Sequence, residues 1–249
     1  MVLIVLLTSS YGSTLPLNVK VSSADIQLPA SMSVAQHLRT VSDYWTTEKL
    51  LNAEAVWTTN RVSNETLKKI PDGDDLVVSI DGKLPLVKQT PSFSGRMTAT
   101  TGRVFWSSPD NTRQYSCSAS IVPSSSLDLI VTAAHCMYDY SFFINQNWIF
   151  IPGYKQGQAP HGIWLARRTM ILTGWIQSKN YNYDVAFVAL STNLNNQHIE
   201  QVLGSQGIGF NYPRQEMTYS FGYPVNLQQG QVVQYCAAKT SRSTYTTNN

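Results

Sequence analysis

The sequence predicts an all-β protein of paired β-barrels preceded by a partly helical N-terminal segment, and three observations lead there. From residue 101 onward, short β-rich runs recur between Gly, Pro and Asn positions, a spacing that suits antiparallel barrels. Residues 101–249 hold 15 charged groups, six acidic and nine basic, among much Ser, Thr, Asn and Gln and 11 Tyr. Sparse charge with abundant neutral polar residues suits a turn-rich extracellular β domain. All three cysteines lie in this part, the usage of a disulfide-forming compartment. The same composition excludes other classes. The net charge of +3 is spread along the chain without a basic cluster, against a nucleic-acid partner. The apolar run 2–7 is six residues, far below the ~20 that cross a bilayer.

In chain order, residues 1–12 read as a signal peptide: the apolar run leads to Ser10-Tyr11-Gly12, a small-x-small cleavage site, although the first basic residue is Lys20. Residues 13–100 have denser, balanced charge and no cysteine. Within them, residues 42–54 read as a short helix, with Thr46 or Thr47 as N-cap and Leu50 and Leu51 on one face. Asn64-Glu65-Thr66 is the only N-glycosylation sequon. The turn-rich stretches 71–75 and 90–95 divide this region, the second as a linker to a domain over 101–249. Strands are expected at 103–107, 115–122, 129–132, 148–152, 162–172, 185–190, 217–222 and 231–238. The aromatic residues of 148–154 and Trp164 read as core.

The most informative segment is Thr132-Ala133-Ala134-His135-Cys136 after the apolar Leu129-Ile130-Val131. A β run that ends in small residues lets the chain turn tightly and present His135 at a cleft. A general base needs such rigid placement of an imidazole. The segment resembles the histidine segment of trypsin/chymotrypsin-like serine proteases. The resemblance covers roughly residues 101–238. It implies a double β-barrel and serine endopeptidase activity with His135 as general base. Downstream, Asp184 heads the apolar Val185-Ala186-Phe187-Val188-Ala189-Leu190. A carboxylate there is costly unless paired, and His135 offers the partner. Of six acidic residues after residue 100, Asp184 alone leads directly into such a run. The family's aspartate likewise opens an apolar strand, so Asp184 is expected to orient His135.

Cys117 lies 19 residues before Cys136, on what reads as the preceding strand. A bridge closing that loop would stabilise by ~3 kcal/mol, and the family bonds the cysteine after its histidine. His37, His161 and His198 read as structural. A zinc site would want four convergent ligands and paired spacings such as C-x₂-C, which are absent. No metal or cofactor is therefore expected. Asp43-Tyr44-Trp45-Thr46 resembles a segment of the propeptides of secreted microbial trypsin-like proteases, which makes 13–100 propeptide and linker. Thr101-Gly102-Arg103-Val104-Phe105-Trp106 resembles the family's first strand, without the Ile-Val-Gly-Gly start. Arg96 and Arg103 are candidate cleavage sites for an activating protease.

The third member of the chemistry is missing. In this fold the serine follows the aspartate by ~90 residues in a glycine-rich turn, and 65 residues follow Asp184. Ser205, Ser220, Ser241 and Ser243 lack the Gly-x-Ser-Gly-Gly neighbours that aim two N–H groups at an oxyanion. Cys236 sits in the strand-like Gln234-Tyr235-Cys236-Ala237-Ala238 and reads as the unpaired half of a second disulfide. The expectation is a protease domain, 101–249, whose second barrel is incomplete and which stops before the catalytic serine. Such a chain belongs by descent to secreted serine endopeptidases of protein or peptide substrates and is inactive as given. The alternative is a non-catalytic binding protein on a protease scaffold.

Overall fold

The computed structural model describes residues 20–26, 29–56, 76–79, 96–139, 142–143, 146–179, 181–208 and 217–239. The expected signal peptide, the Asn64 sequon, both turn-rich breaks, Ser241 and Ser243 lie outside the described residues.

The N-terminal segment contributes β1 (Val21–Asp25), α1 (Val34–Tyr44), α2 (Thr47–Asn52), β2 (Glu54–Ala55) and β3 (Leu76–Ser79). The domain then runs through β4 (Thr101–Ser107), β5 (Gln114–Ile121), β6 (Leu129–Thr132), β7 (Tyr138–Asp139), β8 (Phe142–Phe143), β9 (Ile149–Pro152), β10 (Trp164–Leu172), β11 (Ala186–Leu190), β12 (Met217–Gly222) and β13 (Gln234–Lys239). Six of these close a barrel in the order β10–β11–β6–β5–β4–β9 and back to β10, every pair antiparallel. Closure pairs most of the strand edges that would otherwise invite association. Val104, Ile121, Ile130, Phe150, Trp164 and Val188 fill the interior. Gly102 lies where β4 runs tightly against β9: a Cβ there would collide with the Phe150 ring and stand 2.5 Å from the Ile151 carbonyl. Strands β12 and β13 begin a second sheet, with β3 pairing against β13.

The expected helix is real but shorter, and another precedes it. Ser33 caps α1 with its side chain and exchanges a reciprocal bond with Gln36, satisfying backbone donors that a helix start leaves open. Leu38, Val41 and Trp45 follow at helical spacing and are all buried. Thr46, not Thr47, caps α2 by accepting from the Lys49 N–H at 3.3 Å. Leu50 and Leu51 do not share a face: Leu50 is 3% exposed and Leu51 42%, because adjacent helical residues point about 100° apart.

Together Leu38, Val41, Trp45, Leu50 and Ala53 form a second core with Phe105, Ile149, Tyr154 and Leu165 on the outer face of the barrel. The Trp45 indole N–H donates to the Asn147 carbonyl at 2.8 Å. Burial of side chains this large stabilises the docking by roughly 2 kcal/mol each, so truncation of Trp45 would loosen it most. The N-terminal segment is also woven into the sheet: β1 pairs along β10 from Val21–Leu172 to Asp25–Arg168, and β2 pairs with β5.

Candidate active site

Residue 135 is placed by the end of β6. The Thr132 hydroxyl donates to the Ser118 carbonyl at 2.8 Å, anchoring the strand end to β5. The chain then makes one 3₁₀ turn, Ala134–Cys136, with Ala134 and Cys136 buried. Cys136 is disulfide-bonded to Cys117 on β5, as expected, with 6.3 Å between their Cα atoms. His135 is thus held from both sides.

Asp184 arrives from the opposite direction. A 3₁₀ turn, Tyr181–Tyr183, precedes it, and its N–H donates to the Tyr181 carbonyl at 3.2 Å. Its carboxylate grips His135 at two points. Oδ1 accepts the His135 backbone N–H at 2.9 Å, and Oδ2 lies 2.8 Å from the imidazole Nδ1. A carboxylate accepts only, so this contact places the proton on Nδ1 and leaves Nε2 with its lone pair free to accept. The side chains are 22% and 13% exposed, so the pair is not sealed from solvent. The Trp175 ring stands 6.4 Å from the imidazole, centroid to centroid, and Nε2 lies 4.0 Å from the Cys117 sulfur.

Beside His135 opens a cavity of about 510 Å³, walled by Cys117, Ser118, Ala55, Val56, Tyr223 and Tyr235 among others. It lies between the barrel and the second sheet. The Tyr223 N–H donates to the Ser118 hydroxyl at 2.9 Å and ties the two together.

Arg103 carries the correction that matters most for the site. Sequence reasoning offered it as a cleavage site, yet it is 1% exposed in the middle of β4. No protease reaches it there. Its Nη2 donates to the Ser116 hydroxyl at 2.7 Å and to the Ala53 carbonyl at 3.4 Å. Its guanidinium lies over the Phe105 and Tyr154 rings at 5.1 and 5.3 Å. Nη1 has no partner among the described residues. Burial lowers the Arg103 pKa, an effect that the neighbouring Tyr154 opposes. The same burial raises those of Tyr154 and Tyr223, against the pull of the Arg103 charge. No local pattern in the sequence signals this arginine, because its partners come from residues 53, 116 and 154.

Of the serines set aside in the sequence, the described ones do not hydrogen-bond to His135. The Ser205 hydroxyl donates to Glu200 at 2.6 Å, in the turn after the short helix Ile199–Leu203. Ser220 lies in β12 opposite Cys236 of β13 and lines the cavity. Among the described residues no serine hydroxyl bonds to His135, whose polar contacts are Asp184 and the Cys117 sulfur. Cys117, His135 and Cys136 converge within 4.8 Å as a metal site would, but the disulfide consumes both thiolates that a metal would need. His198 approaches Asp128 at 3.9 Å, far from the cavity.

No protein-family model matches the chain, and no curated protein does. Solved structures do. The chain is similar to the protease Anisep from Arthrobacter nicotinovorans, at 30% identity and a TM-score of 0.54, over 60% of this chain and 68% of that one. It is also similar to the thermostable serine protease AL20 from an extremophilic microorganism, at 28% identity and a TM-score of 0.54, over 60% and 69% of the two chains.

Proposed function

The chain belongs to the trypsin-like serine proteases, and from that premise we propose that His135 and Asp184 serve peptide-bond hydrolysis by a His-Asp-Ser triad. The observation that carries this reading is the two-point grip of Asp184 on His135, at 2.9 and 2.8 Å. In such a triad Nε2 takes the proton of a serine hydroxyl as the oxygen attacks the scissile carbonyl. It returns that proton to the leaving amine as the C–N bond breaks, and water then hydrolyses the acyl-enzyme by the same relay. Asp184 keeps the imidazole in the tautomer that can accept and stabilises the imidazolium.

The 249-residue chain by itself does not turn over substrate in this proposal, because among its described residues no serine hydroxyl bonds to His135. Protein or peptide substrates, export through an oxidising compartment, a signal peptide over 1–12 and a propeptide over 13–100 with its activating protease complete the reading. The formed Cys117–Cys136 bridge supports export. The test is a chimera in which the second-barrel remainder of an active trypsin-like serine protease, with its serine turn, follows residue 239. The chimera is expected to hydrolyse casein and to lose that activity in His135→Ala. A folded but silent chimera overturns the reading. Hydrolysis by the 249-residue chain alone, abolished by His135→Ala, would overturn its inactivity while keeping the dyad.

A further inference from the structure

The bridge beside His135 holds a second chemistry that the oxidised chain keeps closed. The Cys117 sulfur, the Cys136 sulfur and a His135 ring nitrogen converge within 4.8 Å of one another, and all three residues line the cavity. An ion that enters the cavity therefore meets three ligand-bearing side chains together. Reduction by a thiol or a phosphine delivers two electrons and two protons to the bridge and leaves two thiols. A divalent cation then displaces both protons as the thiolates bind it. The ring nitrogen on the sulfur side is Nε2, 4.0 Å from the Cys117 sulfur. The contact of Nδ1 with Asp184 leaves that nitrogen with its lone pair.

Two thiolates and one imidazole are a ligand set that zinc takes with water in the fourth position, and the cavity of about 510 Å³ leaves room for that water. A metal-ligating histidine usually donates its other ring N–H to a carboxylate, which fixes the tautomer and the ring orientation. Asp184 already holds Nδ1 in that way, at 2.8 Å. The scaffold has ties besides the bridge. The Thr132 hydroxyl fastens the end of β6 to the Ser118 carbonyl of β5, Asp184 accepts the His135 backbone N–H, and β5 is paired along its length with β4. With the sulfur–sulfur bond broken, side-chain rotation lets the two sulfurs part to the spacing of two ligands. We propose that Cys117, Cys136 and His135 form a redox-gated site for a thiophilic divalent cation such as zinc, closed by the disulfide and opened by reduction. An ion bound there takes the Nε2 lone pair, so the metal-loaded chain has no general base at residue 135. The inference goes beyond the protease reading and stands on the geometry of the cluster.

The test uses the full 249-residue chain, reduced without air by a phosphine that is then removed, and Co²⁺ as the spectroscopic stand-in for zinc. The reduced chain is expected to bind a single Co²⁺ with the intense visible bands of a tetrahedral site and a sulfur-to-cobalt charge-transfer band, and Zn²⁺ should displace it. The oxidised chain should show neither band. Cys117→Ser should abolish the tetrahedral spectrum. Asp184→Asn should weaken binding about ten- to a hundredfold, the usual loss when the carboxylate behind a ligating histidine is removed, and His135→Ala at least as much. Cys236→Ser, which removes the third thiol, should change nothing. A folded, reduced chain without the tetrahedral spectrum overturns the site, and so does equal binding by the oxidised chain. A spectrum unaltered by His135→Ala, or lost in Cys236→Ser, overturns it too. Where near-ultraviolet circular dichroism shows that reduction unfolds the chain, Co²⁺ is expected to restore the native signal, because a ligand of the folded state stabilises that state. Failure to restore it counts against the site in the same way. A silent casein chimera alongside a His135-dependent cobalt spectrum would refute the protease reading and leave the metal site standing.

Discussion

Asp184 and Asp128 are two aspartates at the heads of two neighbouring strands, and they have become different things. Asp128 precedes β6 and Asp184 stands two residues before β11. These strands pair antiparallel, Thr132 with Ala186 and Leu129 with Ala189. The pairing sends the carboxylates to opposite ends of the same ribbon. At one end Asp184 meets the turn that leaves β6 and takes an imidazole. At the other, Asp128 meets the end of β11, its own carbonyl accepting the Leu190 N–H at 2.9 Å. There it accepts Arg167 at 2.6 and 3.0 Å and the Ser126 hydroxyl at 2.6 Å. Asp128 is 1% exposed against 13% for Asp184. The more buried carboxylate is the structural one, saturated by a permanent cation. The less buried one holds an imidazole, with a cavity beside it. Burial alone does not single out a carboxylate for the proposed role; the partner and its access do.

The comparison can be broken most sharply by kinetics. In the casein-cleaving chimera, Asp184→Asn is expected to lower kcat by about 10⁴, since it leaves the geometry but favours the wrong imidazole tautomer. Asp128→Asn should leave kcat within a few-fold there, and equal losses at both ends would erase the distinction. Next in size is the covalent tether, which only the His135 end possesses. Cys117→Ala with Cys136→Ala should cost about 3 kcal/mol of stability for a loop of this length, read from urea melts. Asp128→Ala should cost about 2 kcal/mol, less than a fully buried pair, because half-exposed Arg167 can turn to water. Asp184→Ala should cost less than that in the same melts.

The smallest effect lies outside both ends and serves as a control. Burial raises the pKa values of Tyr154 and Tyr223, so the folded state prefers both phenols protonated. Their contribution is complete below the ordinary tyrosine value of about 10 and is lost as pH rises from there toward the raised values. The Tm should fall above about pH 10, and Tyr223→Phe should flatten that fall. An identical alkaline profile in Tyr223→Phe would show that the losses arise elsewhere.

Much of the barrel was legible because strand signals are local. The run 129–132 coincides with β6 and 217–222 with β12, and the other expected strands fall within three residues of those observed. His135 and Asp184 were legible for a related reason: each stands where an apolar strand meets a turn, and that junction is written in adjacent residues. Asp128 stands at such a junction too, before the shorter run Leu129-Ile130-Val131, and the antiparallel register sends it to the other end of the ribbon. The helix α1 was missed although Ser33 and Gln36 spell its cap. Val21–Asp25 was missed because an edge strand with alternating exposure carries little apolar signal.

By itself, then, the chain's order of residues determined the strands, the turn that presents His135, the paired cysteines and the carboxylate 49 positions on, since each depends on neighbours in sequence or on one strong chemical preference. Tertiary structure alone decided that Arg103 is a buried anchor instead of a cleavage site and that residues 53–56 lie along β5. Those outcomes depend on strand register and on contacts across 50 or more positions, such as Arg103 with Ala53 and Ser116 with Glu54. No window of adjacent residues contains both partners.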